Sequence, residues 1–115
     1  MIFVIDDDRI MAKCIAKACP GKEVKIFGDG IKVMDAIAQG QIPDLMFLDI
    51  LLDGPDGFTL INELVSYPDT ERIPIVVVSS LKLRAEDLRA YGVVGVLDKD
   101  TMMPEEIRRY ADEYD

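Results

Sequence analysis

Histidine is missing from these 115 residues, cysteine occurs twice, and 13 basic residues face 22 acidic ones. Without histidine there is no Ser-His-Asp or Cys-His nucleophile, no imidazole metal ligand and no histidine acid–base catalysis. A formal charge of −9 argues against direct contact with nucleic acid, whose phosphates must be neutralised by Lys or Arg. It suits a basic partner, or a cation held among carboxylates. Cys14 and Cys19 have the wrong spacing for a zinc knuckle or a redox pair. Read as helical they face different ways, and two reduced thiols in or beside a core fit the cytoplasm. Long apolar runs are also missing. Ile2–Ile5 gives way to three aspartates, so no signal peptide is expected. Leu45–Leu48 and Ile50–Leu52 are split by Asp49 and too short to span a bilayer. What remains is the chemistry of carboxylates, lysine and hydroxyls, in a chain expected to be soluble and cytoplasmic.

The residues present alternate between short apolar runs and helical periods, five times over, with no repeat or linker. Strands are expected at Ile2–Ile5, Val24–Phe27 (an edge, from its charged neighbours), Leu45–Leu48, Ile75–Val78 and Gly95–Leu97. The first helix carries Ile10, Met11, Cys14, Ile15 and Ala18 inward and stops at Pro20-Gly21. A second turns Val33, Met34, Ile37 and Ala38 inward, and a third turns Phe58, Ile61, Leu64 and Val65 inward. Between strand 3 and that third helix, Asp53-Gly54-Pro55-Asp56-Gly57 reads as a loop. Leu83–Tyr91 is a weak fourth helix, and the last begins at Pro104 with Ile107, Tyr110, Ala111 and Tyr114 buried. Five β–α units in one domain predict a parallel sheet covered on both faces, with the flavodoxin-like strand order 2-1-3-4-5. Such a fold puts its site at the carboxyl ends of the strands.

Those ends carry Asp6-Asp7-Asp8, Asp49, Ser79-Ser80 and Asp98-Lys99-Asp100. Several carboxylates at the end of an apolar strand are costly unless neutralised. A hard divalent cation and a lysine would do so, and the same set could hold a phosphoryl group against a carboxylate nucleophile. Each piece also has an ordinary explanation. Asp7 or Asp8 could cap a helix, Asp49 could open a loop, the serines could belong to a turn, and Lys99 could be a solvated lysine. Joint placement at four strand ends is what favours a site.

The segments FVIDDDRIM, DLMFLDILLDGPDGF, IPIVVVSS and GVLDK resemble the receiver domain of two-component response regulators, over essentially the whole of residues 1–115. The resemblance implies that Asp49 is the phospho-accepting nucleophile and that the chain takes its phosphoryl group from a histidine kinase or a histidine phosphotransfer protein. It implies Mg²⁺ bound by Asp6, Asp7, Asp49 and the Leu51 carbonyl, with Asp8 an extra acid. It implies that Ser79 fills the switch hydroxyl position, Ser80 the small-residue position beside it, and that Lys99 contacts the phosphoryl group. The chain would catalyse its own phosphorylation and slow dephosphorylation rather than act as a conventional enzyme. It would signal to a protein effector as a monomer or weak dimer, with no nucleic acid or membrane as direct partner. Departures are Asp100 where proline usually follows the lysine, Asp53 where proline is common, and Val96 in place of an aromatic switch residue. Alternatives are a pseudo-receiver interaction module that turns over no phosphate, and a haloacid-dehalogenase-type phosphohydrolase built on Asp6-x-Asp8.

Overall fold

A computed structural model describes residues 1–51 and 57–115; of the loop expected over Asp53–Gly57 all but Gly57 lies outside the described residues, and Gly57 is the first residue of a helix. In chain order the elements are β1 (Ile2–Ile5), α1 (Arg9–Lys17), β2 (Val24–Phe27), α2 (Gly30–Ala38), β3 (Leu45–Asp49) and α3 (Gly57–Val65). After these come β4 (Ile75–Ser79), α4 (Ala85–Leu88), β5 (Val93–Asp98) and α5 (Pro104–Tyr114). All pairings are parallel and the strand order is β2-β1-β3-β4-β5, as expected.

Strand alternation divides the core in two. Phe3, Ile5, Met46, Leu48 and Val77 face one way and meet Val33 of α2 and Leu60, Ile61 and Leu64 of α3. Ile2, Val4, Phe47, Val76 and Val78 face the other way and meet Ala12 and Ile15 of α1 and Ile107 and Ala111 of α5. Covered on both faces, β1, β3 and β4 are buried at every position, which explains their unbroken apolar runs. Edge strand β2 stays partly exposed. Among the described residues no helix is long and apolar enough to cross a membrane.

Helix phase is where expectation and structure part. Ile10 is 77% exposed and Cys14 is exposed, whereas Ala12 and Ile15 are buried. Five residues separate Ile10 from Ile15, about 140° around a helix, so the two cannot share a face. The same arithmetic turns Ala38 outward from Val33, and Ala36 is buried in its place. In α3 the inward set is Leu60, Ile61 and Leu64, with Phe58 40% exposed. The weak fourth helix is only Ala85–Leu88 and runs into a single 3₁₀ turn at Arg89–Tyr91. Strand β5 is longer than expected, because it pairs with β4 all the way from Val93 to Asp98. Cys19 is buried and its thiol, mainly through burial, is pushed up to about 11, which keeps it protonated and unreactive.

Two glycines permit close approach. A Cβ on Gly57 would stand 2.7 Å from Ile50 Cα and 2.9 Å from the Asp49 carbonyl oxygen, both backbone. One on Gly95 would meet the Tyr110 hydroxyl, the far end of a rotatable side chain. Gly57→Ala is therefore expected to cost about 1–3 kcal/mol in urea unfolding, since backbone must shift. Gly95→Ala should cost clearly less, because Tyr110 can swing aside. Equal losses would show that the approach of α3 to Ile50 is not tight.

Candidate functional site

Asp6 directly follows β1, and its amide donates to the Phe27 carbonyl at 3.0 Å, which extends the sheet geometry by one residue. It is only 2% exposed. Its Oδ1 accepts the Asp8 amide at 2.9 Å, which turns the chain out of the sheet toward α1. Asp8 then caps α1, its Oδ1 accepting the amides of Ile10 at 3.0 Å and Met11 at 3.3 Å. Asp49 ends β3, is 4% exposed and accepts the Leu51 amide on Oδ1 at 3.0 Å. Lys99 follows β5 and is held beside β4 by its amide, which donates to the Ser79 carbonyl at 3.0 Å.

The lysine ammonium lies between the two buried acids. It donates to Asp49 Oδ2 at 2.9 Å and stands 3.2 Å from Asp6 Oδ2. The second contact is close enough to attract but too poorly directed to be a hydrogen bond. Asp6 Oδ2 is thus a buried oxygen with no hydrogen-bond donor among the described residues. Asp7, exposed, completes the cluster: one carboxylate oxygen each from Asp6, Asp7 and Asp49 lie within 4.8 Å of one another. Burial holds the Asp6 carboxyl above the usual carboxylate range, and the Asp49 charge adds to that. The Asp8 amide and Lys99 oppose the shift without cancelling it. For Lys99, burial disfavours the ammonium, but the hydrogen bond to Asp49 and the charge of Asp6 outweigh it and raise its pKa.

Three carboxylates and one ammonium leave excess negative charge, partly out of water. Ligands across a hard cation bonded at about 2.0–2.6 Å stand no more than roughly 4–5 Å apart, which is the size of this triad. The all-oxygen donor set and the orphaned Asp6 Oδ2 therefore fit a small divalent cation. Ser79 is fully buried and its Oγ accepts the Leu81 amide at 3.0 Å, while Ser80 is exposed beside it. The geometry thus brings Asp6, Asp7, Asp49 and Lys99 together side chain to side chain, and joins Ser79 to them through its carbonyl. After Lys99, where Asp100 departs from the proline of the receiver pattern, Asp98 Oδ1 accepts the Asp100 amide at 2.8 Å and forms the turn. None of the described peptide bonds is cis. The double role of Lys99 was not legible in sequence. Two acids at neighbouring strand ends, opposite a single lysine, were the available signal.

Asp6 sets up a stability test. Its folded pKa lies above the unfolded value near 3.8, so the folded state binds more protons between the two and stability falls as pH rises through that window. Above it the cost is fully present. Asp6→Asn keeps the Asp8 hydrogen bond and removes the cost, so in the absence of divalent ions it should raise Tm at neutral pH by a few degrees. It should also remove the fall in stability with rising pH through that window and weaken Mn²⁺ or Mg²⁺ affinity. A lower Tm at neutral pH would refute this electrostatic reading.

Comparison with known proteins agrees with the geometry. A family model described as the response regulator receiver domain matches residues 2–111. The response regulator PleD of Caulobacter vibrioides is 30% identical over 90 residues, 76% of this chain and 20% of that protein. Protein-glutamate methylesterase/protein-glutamine glutaminase 3 of Vibrio cholerae is 36% identical over 84 residues, 70% of this chain and 22% of that one. The chain thus spans about a fifth of the length of these relatives. Among solved structures, the receiver domain of NtrX from Brucella abortus superposes with a TM-score of 0.84 at 24% identity, covering 99% of this chain and 97% of that one. With a receiver-domain model matched from β1 into α5, and the strand order and acidic strand ends already described, this chain belongs to the response regulator receiver domains of two-component systems.

Proposed function

We propose that Asp49 accepts a phosphoryl group from the phosphohistidine of a histidine kinase or histidine phosphotransfer protein, in a Mg²⁺-dependent reaction, and that the phosphorylated chain regulates a protein effector. The observation that carries this reading is Lys99 Nζ placed against both Asp49 and Asp6. It supplies a positive charge beside the one buried carboxylate that ends β3. Asp6, Asp7, Asp49 and the Leu51 carbonyl would hold the cation, which supplies charge stabilisation for the transferring phosphoryl oxygens. An oxygen of Asp49 forms the new O–P bond as the donor's N–P bond breaks, and the imidazole leaves with that electron pair. The Leu51 amide orients the Asp49 carboxylate. Lys99 shifts from that carboxylate toward the phosphoryl oxygens. The Ser79 hydroxyl, on the same residue whose carbonyl accepts the Lys99 amide, then leaves the Leu81 amide and donates to the phosphoryl group, with small Ser80 leaving room.

Two alternatives find less support. The complete set Asp6, Asp7, Asp49, Ser79 and Lys99 speaks against a pseudo-receiver. A dehalogenase-type Asp6-x-Asp8 pair is disfavoured because Asp8 is occupied with the first turn of α1. Val96 is half-buried and packs with the α2–α3 side of the core, so a response to Ser79 would pass through aliphatic repacking and not an aromatic rotamer.

Leu51 and Leu81 flank the site, 55% and 44% exposed. Neither carries a group that can orient an attacking water, so the aspartyl phosphate should persist for hours. Incubation with acetyl phosphate and Mg²⁺, followed by intact mass and peptide mapping, should place one phosphoryl group on Asp49. Asp49→Asn and chelation of the cation should each abolish it, and Leu81→Gln should shorten the lifetime severalfold. Labelling that survives Asp49→Asn would refute the assignment, and a lifetime of seconds without a phosphatase would refute the role given to the two leucines.

A further inference from the structure

Between them α2 and α3 leave a groove of 240 Å³, with Gly30, Met34 and Leu60 on its floor and Ile31 on its lip. The helices come close at Gly30, where an added Cβ would be in ordinary contact, 3.8 Å, with Leu60 Cβ. Asp35 and Glu63 stand on the rim, one from each helix. Ile31 is 60% exposed, an aliphatic side chain left in water at the edge of a groove that Asp35 and Glu63 also line. No Lys or Arg occurs in α3, and the lysine of α2, Lys32, lines the adjoining β2–α2 groove, which shares Asp35 with this one.

Size, charge and shape decide the occupant. The volume is below the roughly 300–1,000 Å³ of small-molecule sites, and it matches one inserted side chain better than a ligand. Paired carboxylates on opposite rims repel an acidic partner and attract a cationic one. The groove is also preformed, because α3 is anchored at its start: the Gly57 amide donates to the Ile50 carbonyl at 2.9 Å and its Cα side is pressed on Ile50. A wall that does not have to be ordered on binding loses little entropy. The neighbouring β2–α2 groove also has an exposed aliphatic, Ile26, but its rim mixes Lys25 and Lys32 with Asp35 and so carries no charge of one sign.

We propose that the α2–α3 groove is a docking site for a basic, amphipathic segment of a partner protein. That segment places one aliphatic or aromatic side chain between Met34 and Leu60 and sets Lys or Arg against Asp35 and Glu63. The groove residues are not those of the proposed phosphoryl-transfer site, so failure of this proposal would leave that transfer untouched.

The probe is a synthetic amidated peptide with one leucine flanked by lysines, titrated into the ¹⁵N-labelled full chain. Expected are shifts confined to residues 30–35 and 59–63, and affinity that falls with added salt. Leucine-to-alanine in the peptide should remove the localised shifts. Asp35→Asn with Glu63→Gln should weaken binding roughly three- to tenfold, and Ile31→Lys, at an exposed position, should abolish it while leaving the fold's spectrum intact. Shifts spread over the whole acidic surface and indifferent to the leucine would overturn the proposal, as unspecific attraction. Concentration-dependent self-association that Ile31→Lys abolishes, with no peptide binding, would overturn it in favour of a second copy of this chain.

Discussion

One ammonium group between two buried carboxylates is the constraint on which this structure turns. Asp6 and Asp49 sit at the ends of adjacent strands, 2% and 4% exposed. Close charges of one sign out of water destabilise a fold unless something opposite stands between them. Lys99 stands there, reaching from the far edge strand across β4. Its backbone is tied to the Ser79 carbonyl and its side chain to the acids, so the ends of β1, β3, β4 and β5 form a single electrostatic unit. Neutralisation is incomplete, since Asp7 adds a third carboxylate and Asp6 Oδ2 lacks a donor among the described residues. Such residual charge is a standing affinity for a cation, and for chemistry that brings one.

The rest of the fold supplies rigidity to that unit. Strands β1, β3 and β4 are buried on both faces, so their last residues cannot relax outward to relieve repulsion. Asp8 and Asp98 act locally, turning the chain through hydrogen bonds from backbone amides. Gly57 lets α3 press on the segment just beyond Asp49. A change of charge at Asp49 is therefore felt first by Lys99 and Ser79 on one side and by the start of α3 on the other. Lys99 touches the Asp49 carboxylate and Gly57 lies against Ile50 and the Asp49 carbonyl.

Much of this was legible in the residues because it rests on period and on strand ends. An apolar run followed by an acid marks where a buried strand stops, and parallel topology gathers such stops at one edge. Thus Asp6, Asp49, Ser79 and Lys99 could be placed together before any coordinates. What escaped was rotational. Ile10, Cys14 and Ala38 lie in apolar-looking stretches, yet helical phase turns them to solvent, since a list of apolar residues does not say which pair shares a face. The extent of α4 escaped because Leu88 alone gives it an inward anchor. Choosing between cap and ligand for Asp8 required the amide directions. The α2–α3 groove was invisible for a further reason: it depends on how near two helices approach at Gly30, which no single helix specifies.

The central relation is that Lys99 is held protonated by Asp6 and Asp49 against the cost of its own burial. Titrating the Lys99 ammonium by ¹⁵N-detected NMR, in the absence of divalent ions, addresses it directly. The midpoint should lie above the ordinary lysine value of 10.5 and drop when Asp49 is replaced by Asn. A midpoint at or below the ordinary value, unmoved by that replacement, would mean that burial dominates and that Lys99 does not join the two carboxylates.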